Sequence, residues 1–220
     1  MATQLDLQEQ EQLDQLKAFW NQYGNLITWV LILVLGAYAG WNGWQWYQRD
    51  QGVKAGALYD ALERSAQARE VDKTASRFAD LRDKYGRTPQ AAQGALLTAR
   101  VQADAGQADA ARATLGWAAD NAADDALRAV ARLRLAGLLL EAKQYDEALK
   151  QLDAATVPGL APLVADRRGD VLAAKGQPDA ARTAWEQAYR GLAERLEYRR
   201  LVEAKLTAIG AAPAASGAGQ

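Results

Sequence analysis

Residues 18–48 contain no Asp, Glu, Lys or Arg, and this charge-free stretch limits what the chain can fold into more than any other feature. Its centre, residues 26–35, is apolar at nine of ten positions, with only Thr28 polar, and the run continues through Gly36-Ala37-Tyr38-Ala39-Gly40. A helix that crosses the ~30 Å hydrocarbon core of a bilayer needs about 20 such residues. Trp20 and Tyr23 flank one end; Trp41, Trp44, Trp46 and Tyr47 flank the other. At about 1.5 Å per residue, Tyr23 and Trp44 stand roughly 31 Å apart. That separation puts aromatic rings with a polar edge at both headgroup levels. We read residues 18–48 as one transmembrane helix with aromatic belts, in contact with membrane lipid. Residues 1–17, with four acids and one lysine, form a small solvated tail, either a short amphipathic helix or disordered.

Two other readings of the apolar run compete with this one. Ala37-Tyr38-Ala39 has the A-x-A form of a signal-peptidase site. The segment before it is acidic where a signal peptide needs a basic start, and the aromatic character continues beyond Ala39. A buried helix of a soluble fold would not carry aromatic belts at membrane spacing. Within the span, Gly36 and Gly40 form a G-x-x-x-G pair, which serves either as a packing face for another helix or as ordinary lipid-facing small residues. Lys17 and the α-amine flank one end, Arg49 and Lys54 the other. Counted in Lys and Arg alone, as the positive-inside rule does, the margin is one charge and leans towards a cytoplasmic C-terminal domain.

Composition narrows the chemistry. The chain has no His and no Cys, and its only serines are Ser65, Ser76 and Ser216. This removes the commonest general base, the commonest metal ligands and every thiol mechanism. No glycine-rich phosphate loop is present, and acidic pairs such as Asp124-Asp125 suit a helix N-terminus better than catalysis. We therefore expect no enzyme activity, no cofactor, no metal and no small-molecule substrate. Residues 49–220 carry a formal charge of only +2, too little for the basic face of a nucleic-acid binder.

After the span the apolar period is that of α-helices. Ala57, Leu58, Ala61 and Leu62 make one stripe. Ala75, Phe78, Leu81 and Tyr85 make another, stopping at Gly86 with Pro89 beyond. No segment alternates as a strand does. The predicted fold is all-α, a helical-hairpin solenoid over 49–210 behind the transmembrane helix, with a disordered tail at 211–220. An internal repeat supports the solenoid. Gly106-Gln107-Ala108-Asp109, Lys143-Gln144-Tyr145-Asp146 and Gly176-Gln177-Pro178-Asp179 superimpose at offsets of 37 and 33. Ala99, Ala136 and Gly169 precede the turn; Ala111, Ala148 and Ala181 follow it, and then Leu115, Leu152 and Trp185. Small residues facing one another bring two helices close, and the large residue one turn later fills the space beside them. The ~34-residue period and this pattern resemble tetratricopeptide repeats. Asp109, Asp146 and Asp179 are expected to cap the second helices. Residues 50–86 read as an atypical leading hairpin, and a helix over 191–209, with Leu192, Leu196, Val202 and Leu206 as its stripe, as the cap of the last repeat.

One N-terminal span followed at once by a degenerate repeat domain resembles the YfgM family, the ancillary subunit of the bacterial SecYEG translocon. The likeness is clearest at Val164-Ala165-Asp166-Arg167-Arg168-Gly169-Asp170, Lys175-Gly176, Ala181-Arg182 and Ala184-Trp185-Glu186, with Gly40-Trp41 at the end of the span. The resemblance implies a single-pass inner-membrane protein with a cytoplasmic N-terminus and a periplasmic domain. It also implies two partners, the SecYEG translocon and the membrane-anchored periplasmic chaperone PpiD. The alternatives are a self-assembling structural or stress-regulatory membrane protein signalling through its acidic tail, and a secreted repeat protein cleaved at Ala39.

Tetratricopeptide arrays bind partners along the face lined by their first helices. Transferring that family's groove positions by the same offsets gives Gln93, Leu96, Arg100, Asp104, Val130, Leu133, Gly137, Leu140, Leu163, Asp166 and Asp170, and of these Leu96, Arg100, Val130, Leu133, Leu140, Leu163, Asp166 and Asp170 make the candidate partner groove. The opposing reading is that the protein's own leading hairpin or capping helix fills this groove, making its leucines core residues. The middle helix, 126–142, is apolar nearly all round and must be covered on more than one side.

Overall fold

The structure is a computed structural model that describes residues 7–193 and 197–211. Its elements are α1 (Leu7–Gln67), α2 (Val71–Tyr85), α3 (Pro89–Asp104), α4 (Ala108–Asn121), α5 (Asp125–Glu141), α6 (Tyr145–Asp153), a 3-10 turn (Pro158–Leu160), α7 (Ala161–Ala174), α8 (Pro178–Gly191) and α9 (Glu197–Ala208). The fold is all-α, as the apolar period predicts, with no strand among the described residues. The chain divides into two units between Asp50 and Gln51, and α1 contributes to both.

In the first unit α1 exposes apolar side chains on every side. Leu26, Trp29, Val30, Leu31, Ile32, Val34 and Leu35 are all exposed, and Leu33 is 72 % accessible. Lipid tolerates this surface because an α-helix satisfies its own backbone hydrogen bonds. Thr28 is equally self-sufficient, its hydroxyl donating to the Gly24 carbonyl at 2.7 Å. The helix is long and apolar enough to cross a membrane. The acidic segment does not stand apart from it, since α1 is already helical at Leu7; residues 1–6 lie outside the described part. Gly36 and Gly40 have open space where a Cβ would stand, so each presents bare backbone on the helix surface.

The second unit, from Gln51, stacks helical hairpins. Helix α3 pairs with α4, α5 with α6 and α7 with α8, while Leu62 at the end of α1 and Leu81 of α2 both reach Gly94 of α3. The three repeated turns share one backbone geometry. Gly106 (φ +77°), Lys143 (φ +59°) and Gly176 (φ +81°) all adopt the left-handed conformation. In each, the next amide reaches back five residues, from Gln107 to the Gln102 carbonyl, Gln144 to Leu139 and Gln177 to Leu172, at 2.8–2.9 Å. This Schellman closure satisfies the last carbonyls of the first helix, and glycine is its least strained occupant. Asp109, Asp146 and Asp179 do not cap the second helices as expected. Gln107, Gln144 and Gln177 hold the cap positions without side-chain cap bonds, and the acids sit inside the first turn, where they still complement the helix dipole. The acid before α5 does cap it: Asp124 accepts from the Leu127 amide at 2.9 Å.

Across each hairpin the small residues are buried as the repeat predicts. Ala111, Ala136, Ala148 and Ala181 have no accessible surface, Ala99 has 2 %, and the large partners Leu115, Leu152 and Trp185 have 5 % or less. The pairs compensate in size. Where the large residue is leucine the first helix carries alanine; where it is tryptophan the first helix carries Gly169. A Cβ on Gly169 would run into the Trp185 ring. A similar contact seats α3 against the leading segment, where a Cβ on Gly94 would lie 2.9 Å from Leu81 Cδ2 and 3.3 Å from Leu62 Cδ1. Phe78 of α2 meets Trp117 of α4 edge-on, centroids 5.3 Å apart.

The C-terminal cap differs from its expected form. The single helix over 191–209 is replaced by the end of α8 at Gly191, a non-helical Leu192 and Ala193, and α9 from Glu197. Leu196 of the expected stripe lies outside the described residues. Leu192, Val202 and Leu206 are buried with Ala165, Ala181, Trp185 and Ala188 in a core cluster of their own. The break at Leu192 lets α9 turn back over the last hairpin.

Gly169→Ala should destabilise the repeat unit by about 1–3 kcal/mol through overpacking. Trp185→Leu in the same chain should recover part of that loss, because contacting sites are non-additive. Denaturant unfolding followed by circular dichroism measures both; strict additivity would show that the two residues do not share the packing site.

Candidate functional site

The first helices α3, α5 and α7 line one side of the solenoid, and a pocket of about 450 Å³ opens between them. Leu96 and Ala99 of α3, Leu115 of α4 and Leu138 of α5 give it apolar walls, and Gly137 leaves room for it. Its charged groups are Arg100, Arg134 and Arg167, one from each first helix, and a single acid, Glu141. The Arg167 guanidinium lies over Gly137, its Cζ 3.7 Å from where a Cβ would stand. Arg134 Nη1 donates to the Leu96 carbonyl at 3.4 Å, tying α5 to α3. A second pocket, about 580 Å³, lies beside Arg100 between the end of α1, the start of α2 and α3. Glu63, Arg69 and Asp104 supply its other charges.

The candidate groove residues fall into three groups. Leu96 and Arg100 line the pocket between the first helices. Val130, Leu133 and Leu140 are partly buried and pack against the main core, and Leu163 is also partly buried. Asp166 and Asp170 face the capping helix. The α5 residues that line the pocket are Arg134, Gly137, Leu138 and Glu141, a face rotated from that of Leu133 and Leu140. Arg134 and Arg167 were not among the expected groove residues, although the 33-residue offset that aligns the turns also superimposes them. Equal positions on successive first helices were the signal.

Asp166 is 1 % accessible. It accepts the Tyr198 hydroxyl at 2.6 Å and Lys205 Nζ at 2.8 and 2.9 Å, both from α9. Lys205 also reaches Asp170 Oδ1 at 2.7 Å, which accepts from Trp185 Nε1 at 3.2 Å. Arg199 stacks over the Tyr189 ring of α8 at 4.1 Å. Every oxygen of Asp166 is thus spent on docking α9, and a partner has no access to it. Burial, and then the hydrogen bond to Asp166, raise the Tyr198 phenol above the ordinary tyrosine value. A raised folded-state pKa means that this contribution is complete below the ordinary tyrosine pKa. It is lost only as the pH climbs through the raised value.

Removing one partner of a buried ion pair leaves the other charge uncompensated. Lys205→Met should therefore cost about 3–5 kcal/mol. Asp166→Leu added to Lys205→Met should restore most of it, since an apolar pair of similar volume often replaces a buried ion pair at little cost. Equal stabilities for single and double variants in denaturant titrations would show that α9 is held by its apolar face alone.

Residues 17–211 match the family model described as a tetratricopeptide repeat-like domain. Three relatives called ancillary SecYEG translocon subunit align with most of the chain. That of Neisseria gonorrhoeae is 31 % identical over 204 residues, 92 % of this chain and 98 % of the relative. That of Escherichia coli is 33 % identical over 181 residues, 81 % of this chain and 85 % of the relative. That of Haemophilus influenzae is 32 % identical over 184 residues, 83 % of this chain and 89 % of the relative. With a span-length apolar helix and a hairpin solenoid behind it, the chain belongs to the YfgM family of ancillary SecYEG translocon subunits, built on a tetratricopeptide repeat-like domain.

Proposed function

We propose that this protein is a non-enzymatic scaffold of the inner membrane, a single-pass subunit that associates with the SecYEG translocon. Its helical-repeat domain stands in the periplasm and is presented to a membrane-anchored chaperone of the PpiD kind, helping to pass on secreted proteins. The observation that carries this reading is the extent of the similarity to named translocon subunits, which reaches across both the apolar helix and the repeat domain. The lack of His and Cys accords with a scaffold role. The one-charge margin across the span opposes the orientation, so topology is the first thing to test.

The native chain has no cysteine, which makes single labels unambiguous. Gln12 and Ala123 are both exposed. In cells with only the outer membrane permeabilised, Ala123→Cys should react with a membrane-impermeant maleimide and Gln12→Cys should not. The reverse pattern would place the repeat domain in the cytoplasm and remove the chaperone from the proposal. A photo-crosslinker in the apolar helix, at Val34, should capture a translocon subunit in native membranes; crosslinks solely between copies of this chain would favour a self-assembling protein instead.

A further inference from the structure

We propose that residues 21–42 of α1 pair in the membrane with the same residues of a second copy of this chain, as two parallel helices joined along the seam of Asn21, Asn25, Thr28 and Asn42. These residues, with Ile32, Leu35 and Ala39 between them, follow one another in alternating steps of four and three. That is the a/d spacing of a coiled coil, sustained over about three heptads. Of the Asn, Gln, Ser and Thr residues between 18 and 44, only Gln22 lies off the seam. Every seam residue belongs to α1 and is exposed on its surface. The outward positions carry Leu26, Val30, Leu33, Val34, Trp41 and Trp44, large side chains suited to lipid and its headgroup boundary.

The amides decide what the second helix is. Asn25 and Asn42 lie just inside the aromatic belts at Tyr23 and Trp44, where an amide turned to hydrocarbon bears its desolvation cost without a compensating bond. Thr28 needs no partner, since its hydroxyl donates to the Gly24 carbonyl at 2.7 Å. An amide carries both donors and acceptors, so its complement is another amide. Copies of one chain insert with the same orientation, and a two-fold axis along the membrane normal then sets Asn25 against Asn25 and Asn42 against Asn42. At about 1.5 Å per residue these two levels stand roughly 25 Å apart, so a slip of one turn unpairs both together. An unrelated helix would have to carry amides at both depths. Asn at such seam positions fixes register and oligomer state in coiled coils. Ala39 sits on the seam between Gly36 and Gly43, which have open space where a Cβ would stand, and small residues there let two backbones approach closely. This inference goes beyond the proposed function and does not depend on it. Val34, where a translocon crosslink is expected, lies off the seam, so the two contacts are read at different positions.

Because the chain has no cysteine, single cysteines can be placed around α1 of the full-length protein in native membranes and oxidised. Ile32→Cys, Leu35→Cys and Ala39→Cys should form disulfide-linked dimers of this chain at least fivefold more than Val30→Cys, Leu33→Cys and Val34→Cys. A second measurement uses energy transfer between donor- and acceptor-labelled copies of the purified full-length chain in liposomes, labelled at Gln12→Cys, with no other protein present. Asn25→Val with Asn42→Val should weaken association at least fivefold, whereas Gln22→Val, which removes an amide off the seam, should change it less than twofold. These replacements make the helix more apolar, so it still spans the bilayer. Equal disulfide yields around the helix, no dimer at any seam position, or association that the paired Asn variant leaves unchanged or lowers no more than Gln22→Val would each overturn the proposal. Seam crosslinks solely to a different protein would also overturn it and assign the seam to a partner's transmembrane helix.

Discussion

The repeat unit depends on how closely the two helices of each hairpin can approach. Ala136 and Ala148 are fully buried, and at Gly169 even one methyl group has no room beside Trp185. Small residues at these contacts bring the helices together, and Leu115, Leu152 and Trp185 fill the volume beside them. Interiors packed to crystal-like density tolerate neither a void nor an extra methylene at such points. The Schellman turns at Gly106, Lys143 and Gly176 then return the chain in the same register each time. Stacking follows, because a hairpin with one buried seam still has apolar faces that only its neighbours can cover.

Charge is used differently at the end of the solenoid and in its middle. At the C-terminal end Asp166, with 1 % of its surface accessible, fastens α9 through Lys205 and Tyr198. This arrangement closes the last hairpin with a helix whose docking needs partners in defined positions. Between α3, α5 and α7 the balance is reversed: three arginines share a pocket with one acid. The same face of the first helices therefore reads as occupied at α7's acids and as open where the arginines converge. The first unit has no such economy of charge, and its exposed Leu33 and Trp29 are explained by lipid as solvent.

Much of this was legible from spacing. The charge-free run, the offsets of 37 and 33, and the small–large alternation reflect physical requirements that recur at regular intervals, so a single chain displays them. The Asp124 cap was legible for the same reason, being local. What was not legible depended on rotation and on contacts distant in sequence. Leu133 and Leu140 are apolar on a helix that is apolar nearly all round, so periodicity could not tell which stripe faces the core and which faces the groove; the structure packs both against the core. Asp166 looked like a groove residue because nothing nearby in sequence reveals a lysine 39 residues away. The break at Leu192 was missed since its apolar side chain extends the helical stripe while being buried outside any helix.

The most direct measurement of the hairpin seam compares two tryptophan substitutions in denaturant unfolding of the full chain. Ala148 is fully buried at the seam of α5 and α6, and Ala113 is exposed on α4. Ala148→Trp should lower stability by about 1–3 kcal/mol or more, whereas Ala113→Trp should stay within about 0.5 kcal/mol of the native chain. Equal unfolding midpoints for the two variants would contradict the claim that close approach at the small residues holds the solenoid together.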